Sequence, residues 1–551
     1  MTQSKIKRRR CLAVGSMLIS ILSSSMAANG AENNTGHSDR GRVIYNLDST
    51  EFFVNTFGPV VPESIDKFVD SHAAAGITDL FVNVNAQRTN YQSDVWESCW
   101  DGYDPARGNE QPFFAGIEPH RMFEADLFKR MHGLHKQGCD YPERILKRAR
   151  QNGIGAWLSL RMNDSHHPTR PDHPFHSTFW KSHPQWRLSN GGLDYERPEV
   201  REHYLKLIRE VCGRYDLDGL ELDFLRFWLY FRPRREHTGT KLMSDLLQQA
   251  RSATREAEKR LGHPVQLAVR VPGTPWIARR HGLDAVAWAQ AGLVDLIVAG
   301  SFWFSVNSDI PVETWKGMLT GTDVKVAVHL EDGINSGASG RRTMTHEEMR
   351  GVLVSGLHRG ADAVYFFNLF TGPYHDWPRE DHDRLITDAG SYAALRAAPR
   401  RHPLTIVSPW ARGEPGAFVD HEYTRGKLVA MGSAGLPSVG KQSHFRLHTG
   451  PPPLPHQKMQ IEMVVSGYDQ PLEVRLNDIP CRWSEWVEPE HITAAGWKQP
   501  GLGKRQVYTV PADAVADGYN VIEATAPQEV TIQWVEIAVS GVDHPTSQGD
   551  R

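Results

Sequence analysis

The sequence predicts an enlarged (β/α)8 barrel, an α/β TIM-barrel fold, followed by an all-β sandwich. Eight apolar strand patterns alternate with amphipathic helix patterns across residues 41–400. From 401 to 541 helical periodicity is scarce, and short β-patterned segments are punctuated by Gly, Pro and Asp. A third observation organises the rest: the run Leu217 to Phe224 is apolar enough for a strand buried on both faces, yet Glu221 and Asp223 interrupt it. Two residues apart, they share one side of a strand, and buried carboxylates cost several kcal/mol unless paired or protonated.

The leader comes first. Lys5 to Arg10 is strongly basic, Cys11 to Leu22 is mostly apolar, and Ser25-Met26-Ala27 offers a small-x-small cleavage site. Residues 1–27 therefore read as a secretory signal peptide, too short in its apolar run for a stable membrane anchor. Arg8-Arg9-Arg10 loosely resembles a twin-arginine signal. A secreted or periplasmic location is the expectation. Residues 28–40 are a polar leader, and 542–551 a disordered tail.

Within the barrel, Arg42 to Leu47 is the first strand and Pro62 to Ala75 its helix, stopped at Gly76. Thr78 to Asn85 is strand two, followed by a loop from Ala86 to Asp140, long enough to read as functional. The helix Tyr141 to Gln151 leads to strand three, Ile154 to Met162, and then to a His- and Pro-rich loop, Asn163 to Asn190. Helix Pro198 to Arg214 delivers strand four. Thr240 to Leu261, Leu283 to Ala291, Pro311 to Thr320, Thr345 to Arg359 and Glu380 to Ala397 are the later helices. Between them run strands Val265 to Val271, Val294 to Gly300, Asp323 to Leu330 and Ala361 to Phe367. No glycine-rich phosphate fingerprint follows the first strand, which disfavours a dinucleotide fold. No cofactor is expected. In the C-terminal part, Phe418 to Asp420, Lys427 to Met431, Met459 to Val465, Leu472 to Leu476, Gln506 to Val510 and Val530 to Val539 read as strands.

The formal net charge of -3 gives no electrostatic footprint for nucleic acid or an anionic membrane. Trp occurs 16 times, often beside Gly, Pro, His or Asn, where an indole suits stacking on a sugar ring. Cys99 and Cys139 have the placement to staple one long loop, while Cys212 reads as an unpaired core residue.

Catalytic groups of such barrels sit at the C-terminal strand ends. Those ends read as a polar set: Asn83 and Asn85, Arg161, Asn163 and Asp164, Glu221, Asp223 and Arg226, Arg270, Trp303, His329 and Glu331, and Asn368. Together with His166 they fit a sugar pocket. Glycoside hydrolysis generally needs two carboxyl groups flanking the scissile bond. Asp223 and Glu331 are that pair in this reading, with Asp164 the rival of Glu331. A turn at Glu331-Asp332-Gly333 is the plain alternative for Glu331, and an ion pair with Arg161 or Arg270 the plain alternative for the strand-four carboxylates. Glu221, one pleat deeper, is expected to hold Arg161 or Arg270. The loop histidines match no metal-ligand spacing, so no metal is expected.

The run Leu193-Asp194-Tyr195, Pro198-Glu199-Val200-Arg201 and Arg214 to Leu220, closing on Asp223, resembles the glycoside-hydrolase-like family 10 barrels. The resemblance implies a barrel similar to retaining glycosidases, with Asp223 at the position of the family's strand-end aspartate. Glu221 stands where that family usually has histidine, and Phe224 where it has a second aspartate. The C-terminal part is similar to jelly-roll modules that accompany carbohydrate enzymes. The leading expectation is an exported glycosidase acting on a polysaccharide or glycoconjugate. Its rivals are a carbohydrate-binding protein on a degenerate barrel, and a sugar lyase or epimerase.

Overall fold

The structure, a computed structural model, describes residues 40–55, 58–301, 306–336, 340–370, 378–405, 438–488, 493–494, 497–498 and 504–541. Eight parallel strands close on themselves: β1 (Arg42–Leu47), β2 (Asp79–Asn83), β3 (Gly155–Arg161), β4 (Gly219–Asp223), β5 (Gln266–Pro272), β6 (Leu296–Gly300), β7 (Lys325–Glu331) and β8 (Ala363–Phe367). They neighbour one another in sequence order, and β8 pairs with β1 to shut the ring. The fold is a TIM-like barrel with an antiparallel all-β domain after it.

The barrel interior changes character along its axis. At the N-terminal end, Ile44, Phe81, Trp157, Ala268, Leu296, Val298, Ala327 and Ala363 pack into an apolar plug. Phe81 stacks on Trp157 with ring centroids 4.4 Å apart. A Cβ at Gly219 would overlap the Trp157 indole, which is why the β4 strand opens with glycine. Two residues further along each strand the same inward parity carries Asn46, Ser159, Glu221 and His329. Two more bring Asp48, Arg161, Asp223 and Glu331, and Arg270, two residues past Ala268, stands level with Asp223. Charged residues are thus stacked on hydrocarbon at the C-terminal mouth.

Pro62, Tyr141 and Pro198 start helices as expected; the later starts shift by one or two residues, except that the helix expected from Thr240 begins at Glu236. Asp140 caps Tyr141–Gln151 by accepting from the Glu143 amide, and Thr345 with Glu348 forms a capping box for His346–His358. Two expectations, and the plain alternative for Glu331, are corrected. The closing helix is two helices, Arg379–Ala389 and Tyr392–Ala397, because Ser391 turns its hydroxyl to the Ala394 amide and starts a new one. The connection after β2 holds a helix, Phe123–Lys136, which buries Leu127, Phe128, Met131 and Leu134 on one face. Glu331-Asp332-Gly333 is not a closed turn: a hairpin leaves from it, Gly333–Ser336 pairing with Gly340–Thr343.

In the all-β domain a 23-residue strand, Tyr519–Gly541, is the shared partner. It pairs antiparallel with Ser438–His448 and Glu473–Leu476 through its first part, and with Gln457–Ser466 and Arg400–Pro403 through its last. The expected strands Phe418 to Asp420 and Lys427 to Met431 lie outside the described residues, as do the leader and the tail. Gly351 of helix His346–His358 lets the backbone of Arg401 press directly on the helix, since a Cβ there would overlap the Arg401 carbonyl. Arg401 then joins the two domains, donating to Glu347 at 2.9 Å and Glu536 at 2.7 Å. Cys99, Cys139, Cys212 and Cys481 are free thiols, so the staple between Cys99 and Cys139 is absent. No helix among the described residues is long and apolar enough to cross a membrane.

Candidate active site at the barrel mouth

Asp223 ends β4 and lies in register with Arg161 of β3 and Arg270 of β5. The Arg270 guanidinium donates twice to it, Nε to Oδ1 at 2.9 Å and Nη2 to Oδ2 at 2.8 Å. Oδ1 also accepts from the amides of Leu225 and Arg226, at 3.0 and 3.1 Å. Four donors hold this carboxylate in one orientation. Three of them crowd Oδ1, so Oδ2 keeps a lone pair unused among the described residues.

Glu221, one pleat below, is held differently. Its Oε2 accepts from Ser159 Oγ at 2.5 Å, Tyr365 OH at 2.9 Å and Asn46 Nδ2 at 3.3 Å, while Oε1 is buried without a partner. Burial first, and then the negative charge of Asp223, raise its pKa to about 7. The expectation that Glu221 secures Arg161 or Arg270 is corrected: Arg270 is secured by Asp223, and Arg161 by Asp48 and Asp164. Register decides this, because Arg161, Asp223 and Arg270 stand level while Glu221 faces Ser159 and Ala268.

On the β1–β3 side a chain of charges runs through the mouth. Arg161 bridges Asp48 and Asp164; Asp164 Oδ1 accepts from His166 Nδ1 at 2.7 Å; His166 Nε2 accepts from Arg226 Nη2 at 3.0 Å. Asp48 is held down to about 2: burial pulls its pKa upward, but Arg161 and Arg226 outweigh it. Burial lowers His166, and lowers Arg226 to about 10 with Arg161 adding to the effect. The imidazole is therefore neutral at pH 7, with Nδ1 carrying the proton toward Asp164.

On the opposite side, His329 of β7 accepts from Arg270 Nη1 at 3.3 Å through Nε2, and its buried Nδ1 has no partner. Burial pushes His329 well below the usual imidazole range. Glu331 ends β7, is 1% exposed, and accepts from Asn368 Nδ2 at 3.4 Å. Asn368 sits in the left-handed region (φ 54°), a conformation Asn tolerates, and its Oδ1 is buried and unpartnered.

Not every expected residue faces a substrate. Asn163 spends its amide on the Leu193 amide and the Leu193 and Leu229 carbonyls, so it ties the loops together. Asn85 accepts from the Arg161 amide and donates to the carbonyls of Ala86 and Arg161, and Asn83 donates to Asn85 and Ser159 carbonyls. Both asparagines still line the cleft, through positions that fix β2 against β3. Trp303 lies outside the described residues.

The cleft itself has a cavity volume of about 150 Å³ and opens beside Asp48, Arg161, His166 and Arg226. Its far wall holds His167 of the His-rich loop together with Arg121 and Glu124, which the sequence reading missed and which come from the region of the unexpected helix. The spacing of Leu127, Phe128, Met131 and Leu134 was the signal that would have found it.

Glu124, His167 and His173 bring carboxylate oxygens and imidazole nitrogens within 4.8 Å of one another. Their arrangement suits hydrogen bonding rather than a metal. The two imidazoles stack nearly parallel, centroids 3.9 Å and planes 19° apart, so their in-plane lone pairs do not converge on one point. His173 Nδ1 accepts from the Phe175 amide at 3.3 Å, which leaves the proton on Nε2, 3.1 Å from Glu124. Arg121 takes the other carboxylate oxygen.

No family model matches the chain, and no curated protein does. Solved structures similar in chain path are TIM-barrel glycoside hydrolases. A noncanonic maltogenic alpha-amylase, AmyB from Thermotoga neapolitana, gives a TM-score of 0.35 at 11% identity over 88% of this chain and 99% of that one. Alpha-L-fucosidase isoenzyme 2 from Paenibacillus thiaminolyticus gives 0.39 at 13% identity over 65% of this chain and 49% of that one. The glycoside hydrolase domain of PgaB (BpsB) from Bordetella bronchiseptica gives 0.35 at 11% identity, covering 65% and 98%. Similarity at this level concerns chain path alone, and the barrel rests on its own strand pairing.

Proposed function

We propose that the protein is an exported glycoside hydrolase acting on a polysaccharide or glycoconjugate. The observation that carries this reading is the placement of Asp223 and Glu331. They end β4 and β7, three strands apart around the closed ring, at the mouth where barrel enzymes do their chemistry. Asp223, fixed in orientation by Arg270 and two backbone amides, is the nucleophilic or charge-stabilising carboxylate, acting through Oδ2. Glu331, across the mouth at the end of β7, is the acid/base. Arg161, Arg226, His166, His329 and Asn368 hold sugar hydroxyls or acidic substituents. The motif around Leu193 to Asp223, similar to glycoside-hydrolase-like family 10, supports the same reading. So does the basic and apolar leader, for export.

A screen of the purified protein against diverse glycans, following new reducing ends, tests it. Once a substrate is found, Asp223→Asn and Glu331→Gln should each lower kcat by several orders of magnitude, about 4 kcal/mol or more of transition-state stabilisation. Near-normal turnover in Asp223→Asn sinks the assignment.

A second reading, a lyase acting on uronic acids, draws on the convergence of Arg161, Arg226 and the neutral His166 in the cleft. Arginines neutralise a carboxylate, and a neutral imidazole abstracts a proton. Unsaturated products, read by ultraviolet absorbance in the same screen, distinguish it.

A further inference from the structure

Beside the mouth, a second cavity of about 470 Å³ lies between two elements that both start at the C-terminal rim. One is the short helix Pro275–Arg280, which begins three residues after β5 ends at Pro272. The other is the N-terminal turn of helix Glu236–Leu261, which follows the loop leaving β4. The volume falls within the range of about 300–1,000 Å³ usual for small-molecule sites.

Its lining is unlike a packing defect. Trp276 stands 49% exposed, although its helix neighbours Ile277 and Ala278 are buried. Around the indole lie Glu236, His237, Thr240, Arg279 and Arg280. Beneath them His281 is buried, with the Trp228 ring edge-on at 4.2 Å, so the floor is firm. An exposed indole loses free energy to water unless something covers it, and here its border consists of long hydrogen-bonding side chains. A flat apolar face ringed by guanidinium groups and a carboxylate, with Arg279 braced through Nε on Asp284 at 3.3 Å, matches one ligand chemistry well: a pyranose ring, apolar on its C–H face and polar at its edge.

We infer that Trp276 is the platform of an outer sugar-binding subsite, which stacks a pyranose residue of the glycan away from the bond that is cleaved. Arg279, Arg280 and Glu236 hold that residue's hydroxyl or acidic groups. This rests on the glycosidase reading above, and it adds a requirement that the reading does not make: chains long enough to reach Trp276 bind better than short ones.

The test uses the full-length protein in native gels cast with soluble polysaccharides, neutral (galactomannan, mixed-linkage glucan) and acidic (pectin, alginate). Turnover is measured in parallel on a polymer and on its shortest cleaved oligosaccharide. In Trp276→Ala, retardation by the bound polysaccharide should fall at least 5-fold and KM for the polymer rise by a similar factor. Its kcat should hold, and kinetics on the short substrate should stay unchanged. Trp276→Phe should restore most of the effect, which a merely structural role would not require. Hydrolysis by the wild type with equal retardation of Trp276→Ala overturns the subsite alone. A wild type that neither hydrolyses nor is retarded by any glycan removes the glycosidase reading, and the subsite with it.

Discussion

Asp223 and Arg270 face each other in register across β4 and β5, joined by two parallel N–H···O bonds of 2.9 and 2.8 Å with both side chains almost fully buried. A buried pair of this kind is costly to break from one side. Arg270→Ala should lose about 3–5 kcal/mol of stability, because it strands the Asp223 charge. Denaturant unfolding of Arg270→Ala and of the double variant Asp223→Asn/Arg270→Met checks this. The double variant should be clearly more stable than Arg270→Ala; equal losses would show that the pair is not coupled.

Glu221 carries a pH signature. Its folded pKa, about 7, lies above the ordinary 4.5, so folding favours the neutral form. The stability it contributes is fully present below about 4.5 and is lost as pH rises through about 7. That change is on the order of 3 kcal/mol. Glu536, raised to about 7 by burial, titrates over the same window, so the Glu221 share is read by difference. Glu221→Gln keeps an oxygen for Ser159, Tyr365 and Asn46, and should flatten part of the fall in stability between pH 4.5 and 7. An unchanged profile would place the ionisation elsewhere.

The Glu124–His167–His173 cluster should hold no stoichiometric metal. Elemental analysis and unfolding with and without a chelator check this. A bound zinc, lost together with several degrees of thermal stability on chelation, would contradict the ring geometry.

Gly351→Ala probes the contact between the domains. The new methyl has no room against the Arg401 carbonyl, so the strand or the helix must shift. A loss of about 1–3 kcal/mol is expected, with the ion pairs of Arg401 to Glu347 and Glu536 weakened together. Thermal unfolding of the variant beside Arg401→Ala measures it; a neutral effect would mean that the two elements separate easily.

The barrel was legible because parallel strands buried on both faces are apolar runs, and because inward parity can be counted along one strand at a time. That counting put Arg161, Asp223, Arg270, His329 and Glu331 at or near one rim before any partner was known. It did not say which carboxylate meets which arginine. Pairing across strands depends on how neighbouring strands are staggered around the ring, and no single strand records that stagger. So Glu221 was given an arginine that Asp223 holds. The helix Phe123–Lys136 was overlooked for a different reason: its apolar face is legible, but it follows three 3-10 turns in a connection read as one loop. Asn163 and Asn85 carry the same polar chemistry whether they grip a sugar or a backbone, and only the geometry separates the two uses.

The Phe81–Trp157 stack seals the barrel at its N-terminal end, and this has a kinetic meaning. There is no through-passage along the axis. Under the proposed function, a glycan arriving over the charged rim departs by that rim, so an incoming chain and a departing fragment contend for one doorway. For a glycosidase built this way, released fragments act as competitive inhibitors of their own parent chain, and inhibition grows as they lengthen toward the original polymer.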